Sequence, residues 1–288
     1  MAREVIKRYV PQALSDVIRP LLWFVRQASF FRKPELRYLE THLADHCNLN
    51  CKGCSHFSPI ARKELADVRQ YEKDIHRLSR LFRNIRRIRL MGGEPLLHPD
   101  VALFIVSTRA AFPGAEVVVV TNGILVAKAS PAFWEACRNA HAIVEITVYP
   151  PMAPRVAECR ALCAAEKVEL LVSEMRPFTA RLNLQGDSDE RRAFVACRSS
   201  GFFCPFLRNG RIHNCYMSAL VHYFAGEYGQ AIAADKGFDI HSRFATGLGV
   251  LWRLNRPIAT CQWCTCRPVR FAWGVSRKLR EEWEAVAR

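Results

Sequence analysis

Strand-like and helix-like stretches alternate through the first 175 residues, and this rhythm constrains the fold more than any other feature of the chain. LRYLETHL (36–43) reads as a strand, after which Tyr71, Ile75, Leu78, Leu81 and Phe82 recur at helical spacing. IRRIRL (85–90) is the next strand, 98–112 a helix, and EVVVVTNG (116–123) a buried strand that ends in Thr121, Asn122 and Gly123. PAFWEACRNA (131–140) is helical, AIVEITVYP (142–150) a strand, 156–165 a helix and KVELLVS (167–173) a further strand. Serial β/α units connect with one hand and build a parallel sheet or barrel whose site lies at the C-terminal strand ends. The rhythm stops near Met175, where RPFTARLNLQGDSDERR begins a stretch richer in turns. The expected division is therefore a β/α unit over 37–175 and a second unit over 176–288.

The chemistry-bearing residues fall at those strand ends. HLADHCNLNCKGCSHFSP follows the first strand and carries Cys47, Cys51 and Cys54 in the spacing C-x3-C-x2-C. Three thiolates so spaced on a loop can hold three irons of a four-iron, four-sulfur cluster and leave the fourth iron open. A short C-x2-C pair is equally half of a zinc site. About forty residues on, LMGGEPLLHPD places Gly92, Gly93, Glu94 and Pro95 after the second strand, where a tight turn closed by proline is the plain structural reading.

The two motifs in this order resemble the radical S-adenosylmethionine (SAM) superfamily. The resemblance implies an α/β fold, a partial (β/α)6 barrel, with a 4Fe-4S cluster on Cys47, Cys51 and Cys54 that binds and cleaves SAM. It implies that Gly92 and Gly93 let backbone carbonyls approach the methionyl ammonium while Glu94 accepts from it. Pro95, Asn122 and Thr147 join the SAM-binding set; Thr147 and its neighbour Tyr149 match the fourth-strand position that contacts the ribose, though β-propensity accounts for both equally well. One position departs from the pattern. The residue before the third cysteine is usually aromatic and packs near the adenine, but here it is Gly53, and Phe57 is the candidate to replace it.

Six more cysteines lie after residue 190. CPFLRNGRIHNC (204–215) sets Cys204 and Cys215 around a tight RNGR hairpin, and CQWCTC supplies Cys261, Cys264 and Cys266. On spacing alone a four-cysteine zinc site fits as well as an iron-sulfur cluster. The arrangement resembles the twitch domain, the shorter relative of the SPASM domain, which follows some radical SAM barrels and resembles the type found in 2-deoxy-scyllo-inosamine dehydrogenase. That resemblance implies a second, auxiliary 4Fe-4S cluster on Cys204, Cys215, Cys261 and Cys264, with Cys197 and Cys266 as alternates. Cys137, Cys159 and Cys163 sit in predicted helices and read as small buried hydrophobes.

Composition limits the rest. No apolar run approaches the ~20 residues of a membrane-spanning helix, and no export signal is visible, so twelve cysteines argue for metal ligation in the cytoplasm rather than a disulfide framework. A net charge of +15 favours anionic substrates or surfaces without choosing among them. Residues 1–36 carry seven Lys or Arg against three Asp or Glu, interleaved with Trp23, Phe24, Phe30 and Phe31; such a segment can lie on an anionic membrane or simply pack on the domain. Through the resemblance, the expected function is hydrogen abstraction from a sugar, aminosugar or cyclitol carbon, ending in oxidation or epimerisation, with flavodoxin or ferredoxin as reductant. A peptide-modifying maturase and a non-catalytic iron-sulfur or RNA-binding protein are the competing readings, although no aromatic-rich RNA motif supports nucleic-acid binding.

Overall fold

The computed structural model describes residues 33–285, apart from 176, 200, 202, 233 and 234. Most of the basic 1–36 segment thus lies outside the described residues. Among the described residues no helix is long and apolar enough to cross a membrane.

Four β/α units and a fifth strand run in chain order: β1 (Glu35–Ala44), α1 (Val68–Leu81), β2 (Asn84–Gly92), α2 (Val101–Ala111), β3 (Glu116–Thr121), α3 (Pro131–Asn139), β4 (Ile143–Val148), α4 (Val156–Ala165) and β5 (Leu170–Glu174). Helix starts follow local chemistry. Asp67 accepts from Gln70 N at the head of α1, and Ser130 accepts from Phe133 N just before Pro131 opens α3. The strands pair in parallel, and the rhythm read from sequence matches them element for element.

The sixth strand does not continue the series. β6 (Phe178–Leu182) leaves the sheet and pairs antiparallel with β10 (Cys264–Phe271). The sixth parallel strand is instead β7 (Phe206–Arg208), which adds to β1 at the opposite edge and turns back into β8 (Arg211–His213) and β9 (Phe238–Asp239). The sheet order β5-β4-β3-β2-β1-β7-β8-β9 is open, a partial barrel. Chain after residue 175 is therefore hydrogen-bonded into the same sheet as the β/α units. Its helices are α5 (Glu190–Ser199), α6 (Tyr216–Tyr228) and α7 (Gly247–Leu254).

Residues alternate across each strand. Leu39, Leu43, Ile88, Leu90, Val117, Val119, Val144 and Ile146 face the helices and form the main core with Ile75, Leu78 and Phe104. Each fully buried aliphatic or aromatic side chain there contributes roughly 1.5–3 kcal/mol. The opposite face carries Tyr38, Glu40 and His42 of β1 beside Arg87, Arg89 and Met91 of β2, in register. A second core, of Phe57, Leu182, Phe206, Leu220, Phe224 and Trp283, joins the cysteine loop to the C-terminal part.

Candidate functional site

Cys47, Cys51 and Cys54 lie on the loop that leaves β1 and line a cleft of about 230 Å³ together with Gly92, Gly93, Asn122, Thr147, Tyr149, Phe178 and Arg89. The structure thus brings together the ends of four strands, β1 to β4. The three thiols lie close enough that each ionised neighbour raises another's pKa. Burial is the larger cause; it pushes Cys47 up to about 12, Cys51 to about 11 and Cys54 up as well. Every sulfur nevertheless has an N–H donor. Leu49 N donates to Cys47 Sγ over 3.3 Å, the Trp273 indole donates to Cys51 Sγ over 3.1 Å, and the backbone around Ser58 and His56 faces Cys54. Donors aimed at sulfur favour the thiolate and are what an iron-bound sulfur uses. This donor set fits a cluster held by the three cysteines. Among the described residues no group of His, Cys, Asp or Glu closes around a single metal ion.

The glycines are required by close approach. A side chain on Gly92 would overlap Ala44 O, and one on Gly93 would overlap His46 O, so the strand-end turn can lie against the cysteine loop only without a Cβ. Glu94 stands at the same strand end, before the 3-10 turn. It is fully buried and outside the cleft lining, accepting from Thr121 Oγ1 at 2.7 Å, Asn122 N at 2.9 Å and Leu96 N at 3.0 Å. Burial outweighs these bonds and holds its carboxyl near 7. Glu94 thereby locks the β3 end to the β2 end, while Pro95 opens the 3-10 turn behind it. Asn122, positioned by that lock, donates to Asn48 Oδ1 at 2.7 Å and reaches Cys47 Sγ at 3.5 Å.

The C-terminal segment explains Gly53. Its φ is +58°, and a Cβ there would collide with Glu282 O and the Phe271 ring, so an aromatic from β10 stands over the position where the pattern has its own aromatic. Lys52 N donates to Gly274 O, and the Trp283 indole donates to Cys54 O, both over 2.8 Å. Phe57 does not fill the expected role. It is fully buried against Phe224 and Trp283, away from the cleft, because its positive φ turns it under the loop. Tyr149 and Phe178 are the aromatics that line the cleft.

A second sulfur group gathers from four elements. Cys204 precedes β7, Cys215 caps α6, Cys261 lies in the 3-10 turn Ala259–Trp263 and Cys264 opens β10. Their mutual charge effects place them in one neighbourhood, and Cys197 on α5 shares it with all four. Cys266 is exposed. Tyr216 stands between this group and the cleft: it feels Cys204 and Cys215 and stacks on His56, a cleft residue, at 4.5 Å. Cys137, Cys159 and Cys163 are buried in the main core, as the helical reading has them. Arg208 is bound in ion pairs with Asp45 and Glu64, Arg211 pairs with Asp239 at 3.6 Å, and Arg176 lies outside the described residues.

Sequence reasoning missed a polar network under the cleft. His56 Nδ1 and His42 Nε2 share a proton over 2.8 Å, and His42 Nδ1 meets Asp45 Oδ1 at 2.7 Å. Burial pushes Asp45 up, but His42 and Arg208 beside it hold its carboxyl well below the usual range; burial keeps both imidazoles neutral. His42 and Asp45 line a second cleft on the far side with Asp67 and Asp74, so the relay joins the two clefts. A signal was available. Parallel strands covered on both faces read as continuous apolar runs, whereas YLETHL and IRRIRLM alternate polar with apolar residues.

Residues 42–150 match the family model described as the Radical SAM superfamily. Molybdenum cofactor biosynthesis protein 1 of Bos taurus is 34% identical over 115 residues, covering 39% of this chain and 18% of the relative. The GTP 3',8-cyclase of Moorella thermoacetica is 38% identical over 93 residues, 31% of this chain and 28% of the relative. The chain thus spans less than a third of the length of these relatives. A crystal structure of BtrN in complex with AdoMet and 2-DOIA aligns with 80% of this chain and 92% of its own at 17% identity and a TM-score of 0.49.

Proposed function

We propose that the chain is a SAM-dependent radical enzyme that oxidises a carbon of a sugar, aminosugar or cyclitol. The observation that carries this reading is the single cleft that places Cys47, Cys51 and Cys54 against Gly92, Gly93, Asn122, Thr147 and Tyr149. When bound on those three cysteines, a 4Fe-4S cluster with SAM on its open iron supplies a 5'-deoxyadenosyl radical that takes hydrogen from the substrate. The chain's own residues do the rest. Leu49 N and the Trp273 indole hold the sulfurs, the two glycines leave room for the close approach of backbone, and Tyr149 with Phe178 gives the cleft its aromatic wall. His56, backed by His42 and Asp45, is placed to accept a hydroxyl proton and pass it to the far cleft.

The second group fits an auxiliary cluster on Cys204, Cys215, Cys261 and Cys264, which would receive the electron left on the oxidised carbon. In this division of labour residues 37–175 bind SAM and 176–288 carry the acceptor, with flavodoxin or ferredoxin as the external reductant. Cys197 and Cys266 are the candidate hydrogen donors for an epimerisation, and neither lines the cleft, which supports oxidation. The test is anaerobic: reduced, reconstituted protein with SAM and a deuterated sugar or cyclitol yields deuterated 5'-deoxyadenosine. Absence of 5'-deoxyadenosine under every reductant tried sinks the reading.

A further inference from the structure

The inner face of the sheet, below the three cysteines, holds a charged group that the reading above leaves unused. Arg89 lines the cleft from β2. Its Nη2 donates to Glu145 Oε1 on β4 at 2.7 Å, and its Nη1 donates to Tyr38 OH on β1 at 3.1 Å. Its Nε is buried and has no partner among the described residues. Glu40 is the register partner of Arg89 on β1, so both side chains leave the sheet on the same face. Glu40 Oε1 accepts from the Tyr38 hydroxyl, and Oε2 is likewise buried without a partner. A buried donor and a buried acceptor left over on adjacent strands are uncommon, because each forfeits its bond to water.

We infer that this floor is the recognition site for an uncharged, hydroxyl-bearing substrate, one hydroxyl accepting from Arg89 Nε and donating to Glu40 Oε2. The inference rests on the cleft being the substrate site of the proposed reaction. A hydroxyl is the group that donates and accepts at once. The charge count selects against an anion. The one guanidinium already faces two carboxylates, Glu145 and Glu40, and burial pushes Glu40 up, so the floor is neutral or negative in either protonation state. Among the described residues Arg89 is the one Lys or Arg that lines the cleft, so a phosphate or carboxylate would meet the field of Glu40 and Glu145 behind it with no second cation to offset them. Tyr38 and Glu145 act as positioning residues: they clamp the two ends of the guanidinium so that Nε is the edge left to the substrate.

Equilibrium dialysis of the full-length, cluster-reconstituted protein with SAM under anaerobic conditions tests this. The uncharged probes are radiolabelled myo-inositol, glucose and N-acetylglucosamine; the anionic ones are glucose 6-phosphate and glucuronate. At least one uncharged probe is expected to bind, with both anions at least about tenfold weaker. Arg89→Lys and Glu40→Gln should each weaken the bound probe about tenfold, the effect of one charged hydrogen bond. SAM retained in the same cell reports that the variant is folded. If Arg89→Lys does not fold, Glu40→Gln and the wild-type discrimination between probes decide. Binding of no uncharged probe, tighter binding of an anion, or full affinity in a folded variant overturns the inference, the last meaning that the two atoms hold a water. Dialysis needs no turnover, so a protein that binds the probe but never forms 5'-deoxyadenosine keeps this floor and loses the radical reading.

Discussion

The two sulfur groups of this chain are built in opposite ways. Cys47, Cys51 and Cys54 come from one loop of eight residues, pinned at its base by β1 and braced by the C-terminal segment through Lys52, Trp273 and Trp283. Cys204, Cys215, Cys261 and Cys264, with Cys197 beside them, come from a helix cap, two strand ends and a short turn that meet only after the chain has folded back on itself. The first group can lose its sulfurs and keep its loop, because hydrogen bonds and glycine packing hold the backbone. The second is brought together by long-range pairing, β7 on β1 and β10 on β6, rather than by one loop. Metal ligation is expected to contribute to folding there and hardly at all in the first.

The largest effect should follow from Cys47, Cys51 and Cys54 changed together to Ala. Formation of 5'-deoxyadenosine should vanish and about half the iron should be lost, while the circular dichroism spectrum stays native. A Cys204→Ala, Cys215→Ala double variant should lose the other half and fall in solubility and melting temperature. Equal melting temperatures for the two variants would erase the contrast between the regions.

Trp283 ties the regions together, packed with Phe57, Phe224 and Tyr228 and donating to Cys54 O. Trp283→Ala should cost about 3–5 kcal/mol in denaturant unfolding and lower cluster retention on Cys54's loop. A loss confined to the second group would show that the regions are held independently.

Acid should loosen the hairpin that leads into Cys215. Burial pushes His213 down to about 4 despite Asp235 beside it. The unfolded chain therefore binds the proton first, so stability is complete above the ordinary histidine value and falls as pH drops towards 4, by about 3 kcal/mol in all. His213→Gln should flatten that slope in denaturant titrations between pH 4 and 6.5. A slope unchanged by the substitution would remove His213 from the account.

The smallest effect sharpens the ligand set. Cys266 is exposed at the start of β10, so Cys266→Ser should change stability by less than about 0.5 kcal/mol and leave iron content intact. Iron loss in that variant would move it into the second group in place of one of the four.

What the sequence determined by itself is what neighbouring residues decide among themselves. Period and strand composition placed β1 to β5, and contiguous spacing singled out Cys47, Cys51, Cys54, Gly92 and Gly93, because a loop's sulfurs and a turn's glycines are set by a few backbone angles. The tertiary structure decided the rest. Glu94 belongs to the β3 lock because its buried carboxylate accepts from Thr121, Asn122 and Leu96. Phe271 stands over Gly53, Cys197 joins four distant sulfurs, and β6 pairs with β10 through contacts more than 80 residues apart. Arg89 meets Glu40 and Glu145 through strand register, which follows from the packing of the whole sheet and from no local pattern.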